Sequence, residues 1–198
     1  MRLLIATNNQ NKKREIDAIL APLSVETVTP RELGIDFDPI ENGTTFEENA
    51  MIKARCGFDL TGIGTIADDS GLCVNALNGR PGIYSARYGG EEATYSEKIA
   101  MLQQEIGDAE DRSASFECAI ACVLSKDVAF TVTGRCVGEI AHESAGAGGF
   151  GYDPIFYIPS KQKTFSELTD EEKNAISHRG AALEALRKKL NEIQEKDI

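Results

Sequence analysis

The sequence has few of the side chains that bind zinc. It contains 5 cysteines and 2 histidines in 198 residues, and no two cysteines have the Cys-x-x-Cys spacing. Because zinc sites need clustered Cys and His ligands, we do not expect one. The cysteines lie mostly in apolar or alternating segments, so we expect reduced, packed thiols and a cytoplasmic protein. They are Cys56, Cys73, Cys118, Cys122 and Cys136.

Positive charge is also scarce. Lys and Arg total 21 against 32 Asp and Glu, which gives a net charge of −11 and a sequence pI of about 4.7. Binding to a nucleic-acid backbone requires clustered Lys and Arg, so we expect no nucleic-acid partner. A small anionic ligand is still compatible, because it needs only a local pocket of cations, backbone N–H groups and metal.

Long hydrophobic runs are absent as well. No stretch is long enough to span a membrane, and the short apolar start runs directly into the polar residues 8–11, unlike a signal peptide. We therefore expect neither a membrane partner nor secretion. With 198 residues, of which 41% are hydrophobic, the chain is predicted to form one domain over residues 1–198.

The patterns that are present predict an α/β fold. Residues 2–6 form a short apolar run typical of a buried strand, residues 11–23 have helical spacing, and residues 25–28 favour a second strand. An alternating pattern of apolar residues between residues 113 and 140 predicts a long antiparallel hairpin, so the sheet should be mixed. Capping-box patterns that start at Thr45, Thr94 and Thr169 predict further helices, and Ser177 is a candidate cap for the last one.

We expect the chain to be organised around residues 65–74, where two apolar runs flank Asp68-Asp69-Ser70-Gly71. The composition predicts a hairpin turn that presents two carboxylates. A turn without chemistry is the simpler interpretation of these four residues alone. Three other polar motifs in the chain favour the functional interpretation, a magnesium and phosphate site.

The first motif is the polar loop of residues 7–12, which follows the first strand. Its side chains carry hydroxyl, amide and ammonium groups and lie beside the free N–H groups of a helix N-terminus, where an anion is favoured. A solvated polar loop is the alternative. The candidate ligand-binding residues are Thr7, Asn8, Asn9, Gln10, Asn11 and Lys12.

Further along, Asn49 and Lys53 lie one helical turn apart and can reach a shared ligand. Glu41, just before that helix, is a second metal-ligand candidate.

The other two motifs lie in the C-terminal third. The glycine-rich segment 145–154 allows close backbone approach to a ligand, and Phe150 and Tyr152 offer rings that can stack on a base. His178 and Arg179 lie at a predicted helix start, where the helix dipole disfavours cations, so their presence requires a reason. A solvated Arg and a stacked His are the alternative.

Together these motifs resemble the inosine triphosphate pyrophosphatase family, the HAM1-like non-canonical purine nucleoside triphosphate pyrophosphatases. The resemblance extends from Leu3 to Leu190, with Asn8 at a position where many members have Gly. The matching stretches are residues 6–12, 41–46, 48–50, 67–72, 81–88, 148–154 and 177–179.

The resemblance implies an elongated α/β fold of the ITPase/Maf type. This fold has a long mixed sheet with flanking helices and two lobes around an active-site cleft. The resemblance also implies a homodimer and a requirement for magnesium. The implied reaction is hydrolysis of ITP, dITP and XTP to the nucleoside monophosphate and pyrophosphate, which cleanses the nucleotide pool. A nucleotide-binding sensor without hydrolysis and a related house-cleaning pyrophosphatase with other specificity are the alternatives.

The residues receive roles on the same basis. Asp69 and Glu41 are the metal-ligand candidates, and Asp69, Lys12 and Lys53 are the catalytic candidates. Asp69 resembles the family's proton acceptor, and its neighbour Asp68 is expected to raise its pKa, whereas a metal would lower it. The substrate-binding candidates are residues 7–12 with Ser70, Phe150, Gly151, Tyr152, Asp153, Lys173, His178 and Arg179.

Overall fold

The protein folds as a mixed α/β structure, seen in a computed structural model that describes residues 2–21, 25–90 and 92–196. The strands are β1 (Arg2–Ile5), β2 (Glu26–Val28), β3 (Thr65–Val74), β4 (Ser113–Val123), β5 (Ala129–Ile140), β6 (Phe156–Ile158) and β7 (Lys163–Thr164). The α-helices are α1 (Gln10–Leu20), α2 (Phe46–Thr61), α3 (Tyr95–Ile106), α4 (Asp170–Ile176) and α5 (His178–Lys196). Short 3-10 turns connect several of them.

The strands form a 7-stranded sheet in the order β2-β1-β3-β4-β5-β6-β7. β1 pairs in parallel with β2 and with β3, whereas β6 pairs antiparallel with β5 and with β7. The predicted mixed sheet with flanking helices is therefore confirmed. The predicted continuation of α1 to Leu23 falls on residues 22–24, which lie outside the described part of the chain.

The chain divides into two compact units. Unit 1 comprises Met1–Asp69, Cys118–Gly134 and His178–Ile198, and unit 2 comprises Ser70–Glu117 and Arg135–Ser177. The prediction of one domain over residues 1–198 stays a prediction.

Unit 1 has an apolar layer on each face of its strands. One layer contains Ile66 of β3 together with residues of α1 and α5. The other contains Ala67, the next residue of β3, together with Ala50 and Ala54 of α2. Successive side chains of a strand point to opposite faces, so β3 contributes alternately to the two layers.

Unit 2 has a separate apolar core, in which the rings of Phe116, Phe156 and Phe165 pack against one another. The helices begin where the capping patterns predict. Thr94 and Thr169 form complete capping boxes with Glu97 and Glu172.

At α2 the predicted box is modified. Thr45 accepts from the Glu48 N–H at 3.1 Å, but the Glu48 carboxylate accepts from the Thr44 N–H instead of from Thr45. Across residues 2–21, 25–90 and 92–196, every helix is too short or too polar to form a transmembrane span.

Candidate active site

The central acidic stretch lies inside one continuous strand. β3 runs from Thr65 to Val74 without a break, so the predicted hairpin turn at Asp68-Asp69-Ser70-Gly71 is wrong. The composition misled the prediction because Asp, Ser and Gly are common in turns. Here both carboxylates are stabilised by basic or amide groups on neighbouring helices. As adjacent strand residues, Asp68 and Asp69 point to opposite faces and enter different networks.

Asp68 belongs to the face of β3 that packs against α1 and α5. Its Oδ2 lies 3.0 Å from Lys12 Nζ and accepts from Arg179 Nε and Nη2 at 3.3 and 3.1 Å. Arg179, 2% exposed, also donates through Nη1 to Glu15. This network supplies the reason for an arginine in the first turn of α5, because two buried carboxylates offset the unfavourable dipole.

The network determines the ionisation of Asp68. Burial by itself would raise the pKa of this carboxyl, but the charges of Lys12, Arg179 and Lys53 outweigh it and hold the pKa well below its usual range. Asp68 is therefore a permanent anion that fixes two cations in place.

Asp69 belongs to the opposite face, beneath α2. Lys53 Nζ lies 3.3 Å from Asp69 Oδ1 and 2.8 Å from Glu41 Oε2, so this ammonium bridges the two predicted metal ligands. Asn49 Nδ2 donates to Asp69 Oδ2 at 3.3 Å. Asn49 and Lys53 were predicted to be able to reach a shared ligand. In this structure both side chains contact the carboxylate of Asp69.

The pKa of Asp69 is raised, as predicted, but the main cause differs. Burial has the largest effect, Lys53 and Lys12 oppose it, and Glu41 and Asp68 add to the rise. Lys53 shows the complementary behaviour: burial lowers its pKa, but Asp69, Asp68 and Glu41 raise it overall. At neutral pH the ammonium is therefore retained between the acids.

The loop after β1 is held by its own side chains. Asn9 caps α1, accepting from the N–H groups of Asn11 and Lys12 at 2.9 and 3.2 Å. Thr7 Oγ1 accepts from the Asn9 N–H at 3.1 Å, and Asn8 Nδ2 donates to the Phe37 carbonyl at 2.7 Å. Two of the N–H groups at the start of α1 that were predicted to favour an anion are therefore already hydrogen-bonded to Asn9. Gln10 opens α1 with an exposed side chain.

In unit 2, the glycine-rich segment is organised by Asp153. Asp153 Oδ2 accepts from the Phe150 N–H at 2.8 Å and from Lys173 Nζ at 2.6 Å. Gly149 has φ +70°, and a Cβ there would lie 2.2 Å from Asp153 Oδ2. Only glycine fits, because both the backbone angle and the close approach exclude a side chain.

The ammonium of Lys173 lies over an aromatic ring as well as beside the acid. Its Nζ is 4.6 Å from the centroid of the Phe150 ring, which is half-buried. Tyr152, in contrast, lies in the core with its hydroxyl donating to the Ser85 carbonyl at 3.0 Å. This placement favours Phe150 over Tyr152 for base stacking. The half-buried Ser70 is the residue of β3 that follows Asp69.

Comparison with known proteins identifies the family of the chain. The model of the Ham1 family matches residues 3–189. The chain belongs to the Ham1 family. A protein named dITP/XTP pyrophosphatase from Treponema denticola is 47% identical over 186 residues, which cover 92% of this chain and 95% of that protein. A similarly named protein from Escherichia coli O157:H7 is 46% identical over 189 residues, or 93% of this chain and 95% of that one. A solved Ham1 protein from Coxiella burnetii has a TM-score of 0.89 at 45% identity, covering 97% of this chain and 99% of that one.

The predicted family membership is thus confirmed. The structure also adds one residue to the Asp68 network that was not predicted from the sequence. Glu15 is a buried carboxylate on α1, beside the buried apolar residues Ile16 and Leu20. An acidic residue next to the apolar stripe of a helix indicates a buried carboxylate, and a buried carboxylate needs a cationic partner. Here the partner is Arg179.

The cysteines of this Ham1 chain match their predicted packing. All five are free thiols, and Cys118 and Cys122 of β4 lie in the apolar layer with α1 and α5. Burial raises the pKa of both to about 12. Such thiols are protonated at neutral pH and are not nucleophiles.

Proposed function

We propose that this chain hydrolyses the non-canonical purine nucleoside triphosphates ITP, dITP and XTP to the nucleoside monophosphate and pyrophosphate, and so cleanses the nucleotide pool. The observation that carries the proposal is the bridge of Lys53 between Asp69 and Glu41 in a chain that matches Ham1 relatives over nearly its full length. Many of those relatives are named dITP/XTP pyrophosphatase.

Magnesium is the metal that these residues fit. Asp69 and Glu41 supply carboxylate oxygens, which hard divalent cations prefer. Within the described residues no group of three or more His, Cys, Asp and Glu side chains is arranged to hold a metal. Mg²⁺ is usually bound by one or two carboxylates plus substrate phosphates and water, and Asp69 and Glu41 would supply the carboxylates. When bound, Mg²⁺ supplies charge neutralisation at the phosphate oxygens and polarises water.

The lysines supply the remaining positive charge. Lys53 is already at the acids, and its ammonium can turn from Asp69 toward a phosphate oxygen as negative charge accumulates on the leaving pyrophosphate. Lys12 is fixed by Asp68 at the start of α1, where its charge adds to the positive end of the helix dipole. Lys12 is thus preorganised, and a cation held in place in this way lowers the barrier because it needs no rearrangement during the reaction.

Asp69 is also our candidate for the proton acceptor from the attacking water at the α-phosphorus. Burial raises its pKa, which makes it a stronger base than an ordinary carboxylate. Asn49 holds one of its oxygens, Oδ2, so the orientation of the carboxylate is restricted.

Binding of the nucleotide is assigned to several polar groups. Residues 7–11, Ser70, Gly151, Asp153 and Lys173 are candidates for contacts to phosphate, sugar or base, and Phe150 is the candidate stacking ring. Hypoxanthine and xanthine carry an acceptor oxygen at position 6, where adenine has a donor. Donors such as protonated His178, Arg179 or a backbone N–H reject adenine because they would be left unpaired. The commitment of Arg179 to Asp68 and Glu15 favours His178 or the backbone for this contact.

We also propose that the active form is a homodimer in the cytoplasm. Tyr84, 56% exposed, has Arg87 over its ring at 5.2 Å, and aromatic residues and Arg are enriched at protein interfaces. The free thiols agree with a reducing compartment. Light scattering on the purified protein tests the dimer.

The experiment that tests the function is pyrophosphate release from a panel of nucleotides with Mg²⁺. The panel contains ITP, dITP, XTP, ATP, GTP and modified pyrimidine nucleotides. We expect turnover of the first three at much higher kcat/KM than the others. Binding of ITP without any release would instead indicate a sensor, and preference for pyrimidines would indicate a different house-cleaning enzyme.

A further inference from the structure

Asn49 occupies a position in α2 where it contacts two parts of the site at once. It is 1% exposed. Its Oδ1 accepts from the Gly43 N–H at 2.9 Å, and its Nδ2 donates to Asp69 Oδ2 at 3.3 Å. Because a backbone N–H can only donate, it fixes the carbonyl side of the amide, and the NH₂ side is left facing the carboxylate.

Lys53 makes a parallel connection one helical turn later. Its Nζ contacts Asp69 Oδ1 at 3.3 Å and Glu41 Oε2 at 2.8 Å. Two side chains of α2 therefore join the same acid to the same segment, residues 41–43. The two connections differ in kind, since Lys53 is a mobile cation with affinity for phosphate, whereas the amide of Asn49 is neutral.

The segment at Gly43 lies at contact distance from the amide. A Cβ at this position would lie 2.7 Å from Asn49 Oδ1 and 2.7 Å from the Cβ of Glu48. Both distances are shorter than a Cβ atom tolerates, so an alanine must displace the segment or the Asn49 side chain. The chain thus uses glycine here to allow the close approach.

We propose that Asn49 is a positioning residue that fixes Asp69 relative to Glu41 through the backbone of Gly43. The proposal rests on the roles assigned above to Asp69 and Glu41. When Lys53 turns toward a phosphate, the amide of Asn49 keeps the two carboxylates at a constant separation. It acts through Asp69 and does not itself touch the substrate.

A test without metal or substrate uses the side-chain amide resonances of Asn49 in NMR spectra of the free protein. We expect Gly43→Ala and Asp69→Asn each to shift these resonances, because each alters one end of the same amide. Asn42→Ala, which removes an exposed amide from the same segment, is the matched control and should leave them in place. Resonances that do not respond to Gly43→Ala overturn the proposal, whether or not the protein hydrolyses ITP.

A second test uses a double-mutant cycle of Asn49→Ala and Gly43→Ala on dITP hydrolysis. Misplacing a catalytic group by about 1 Å costs up to about 100-fold, so we expect each variant to lower kcat by about 10- to 100-fold with little change in KM. The kcat of the double variant should be no lower than that of the less active single variant, because both changes break the same connection. Multiplicative losses in the cycle, or losses confined to KM, would overturn the proposal. Absence of wild-type turnover would refute the proposed function instead, and the NMR result would still stand.

Discussion

Arg179→Ala is expected to destabilise the protein far more than loss of a surface arginine does. The guanidinium is 2% exposed and donates to Asp68 at 3.1 and 3.3 Å as well as to Glu15. Removing one partner of a buried ion pair costs about 3–5 kcal/mol, because the remaining charge stays buried. For a chain of this size, each kcal/mol lowers Tm by about 2–4 °C, so the expected fall in Tm is about 6–20 °C.

The measurement is urea denaturation at pH 7 without substrate. Arg187→Ala is the matched control, because Arg187 pairs with Glu184 at the surface of the same helix, and we expect its urea midpoint to stay close to that of wild type. A loss below about 1 kcal/mol for Arg179→Ala would mean that the network contributes no more than a surface ion pair, and would refute the reasoning.

This instability also affects how selectivity is measured. Arg179→Ala lowers the fraction of folded enzyme, so a fall in activity alone says nothing about base recognition. The ratio of kcat/KM for ITP to that for ATP does not depend on the concentration of active enzyme. We expect this ratio to fall if Arg179 reaches the base, and an unchanged ratio would assign selectivity to His178 or to backbone donors.

Three further predictions concern single residues. Asp69→Asn should abolish pyrophosphate release from dITP, and activity within several-fold of wild type would remove Asp69 from the chemistry. Because the folded-state pKa of Asp68 is depressed, its stabilisation is present above its unfolded pKa of about 3.9 and is lost as pH falls further. The stability advantage of wild type over Asp68→Asn in urea should therefore shrink below about pH 4, and a constant difference would contradict the network. Gly149→Ala should raise KM for dITP and destabilise more than Gly62→Ala, which shares a positive φ but meets no atom within 4 Å; equal effects would show that the contact with Asp153 is unimportant.

Local patterns were sufficient for much of the fold. The Thr94 and Thr169 capping boxes and the alternation in residues 113–140 are signals contained in a few neighbouring residues. The structure confirms the two capping boxes and the presence of strands β4 and β5 in that range. The hairpin at Asp68 and Asp69 was wrong because local composition competes there with long-range ion pairs. Lys12 and Arg179 are distant in sequence from Asp68, and turn propensity depends only on neighbouring residues, so it does not include their effect.

The same limit applies to the candidate site. Lys53 and Asn49 were correctly placed on one helix face, since i and i+4 spacing is a local property. Their common partner Asp69 and the link from Asn49 to Gly43 depend on tertiary packing. Glu15 was missed for the same reason, because an acid beside an apolar helix stripe signals burial but does not name its partner.

The most direct test of the account is hydrolysis of dITP in ¹⁸O-labelled water with Mg²⁺, with the products analysed by mass spectrometry and a parallel reaction in chelator. Attack of water at the α-phosphorus predicts label in dIMP, unlabelled pyrophosphate, and no turnover in chelator. Label in the pyrophosphate, release of single phosphates, or undiminished cleavage in chelator would contradict a metal-assisted site at Asp69 and Glu41.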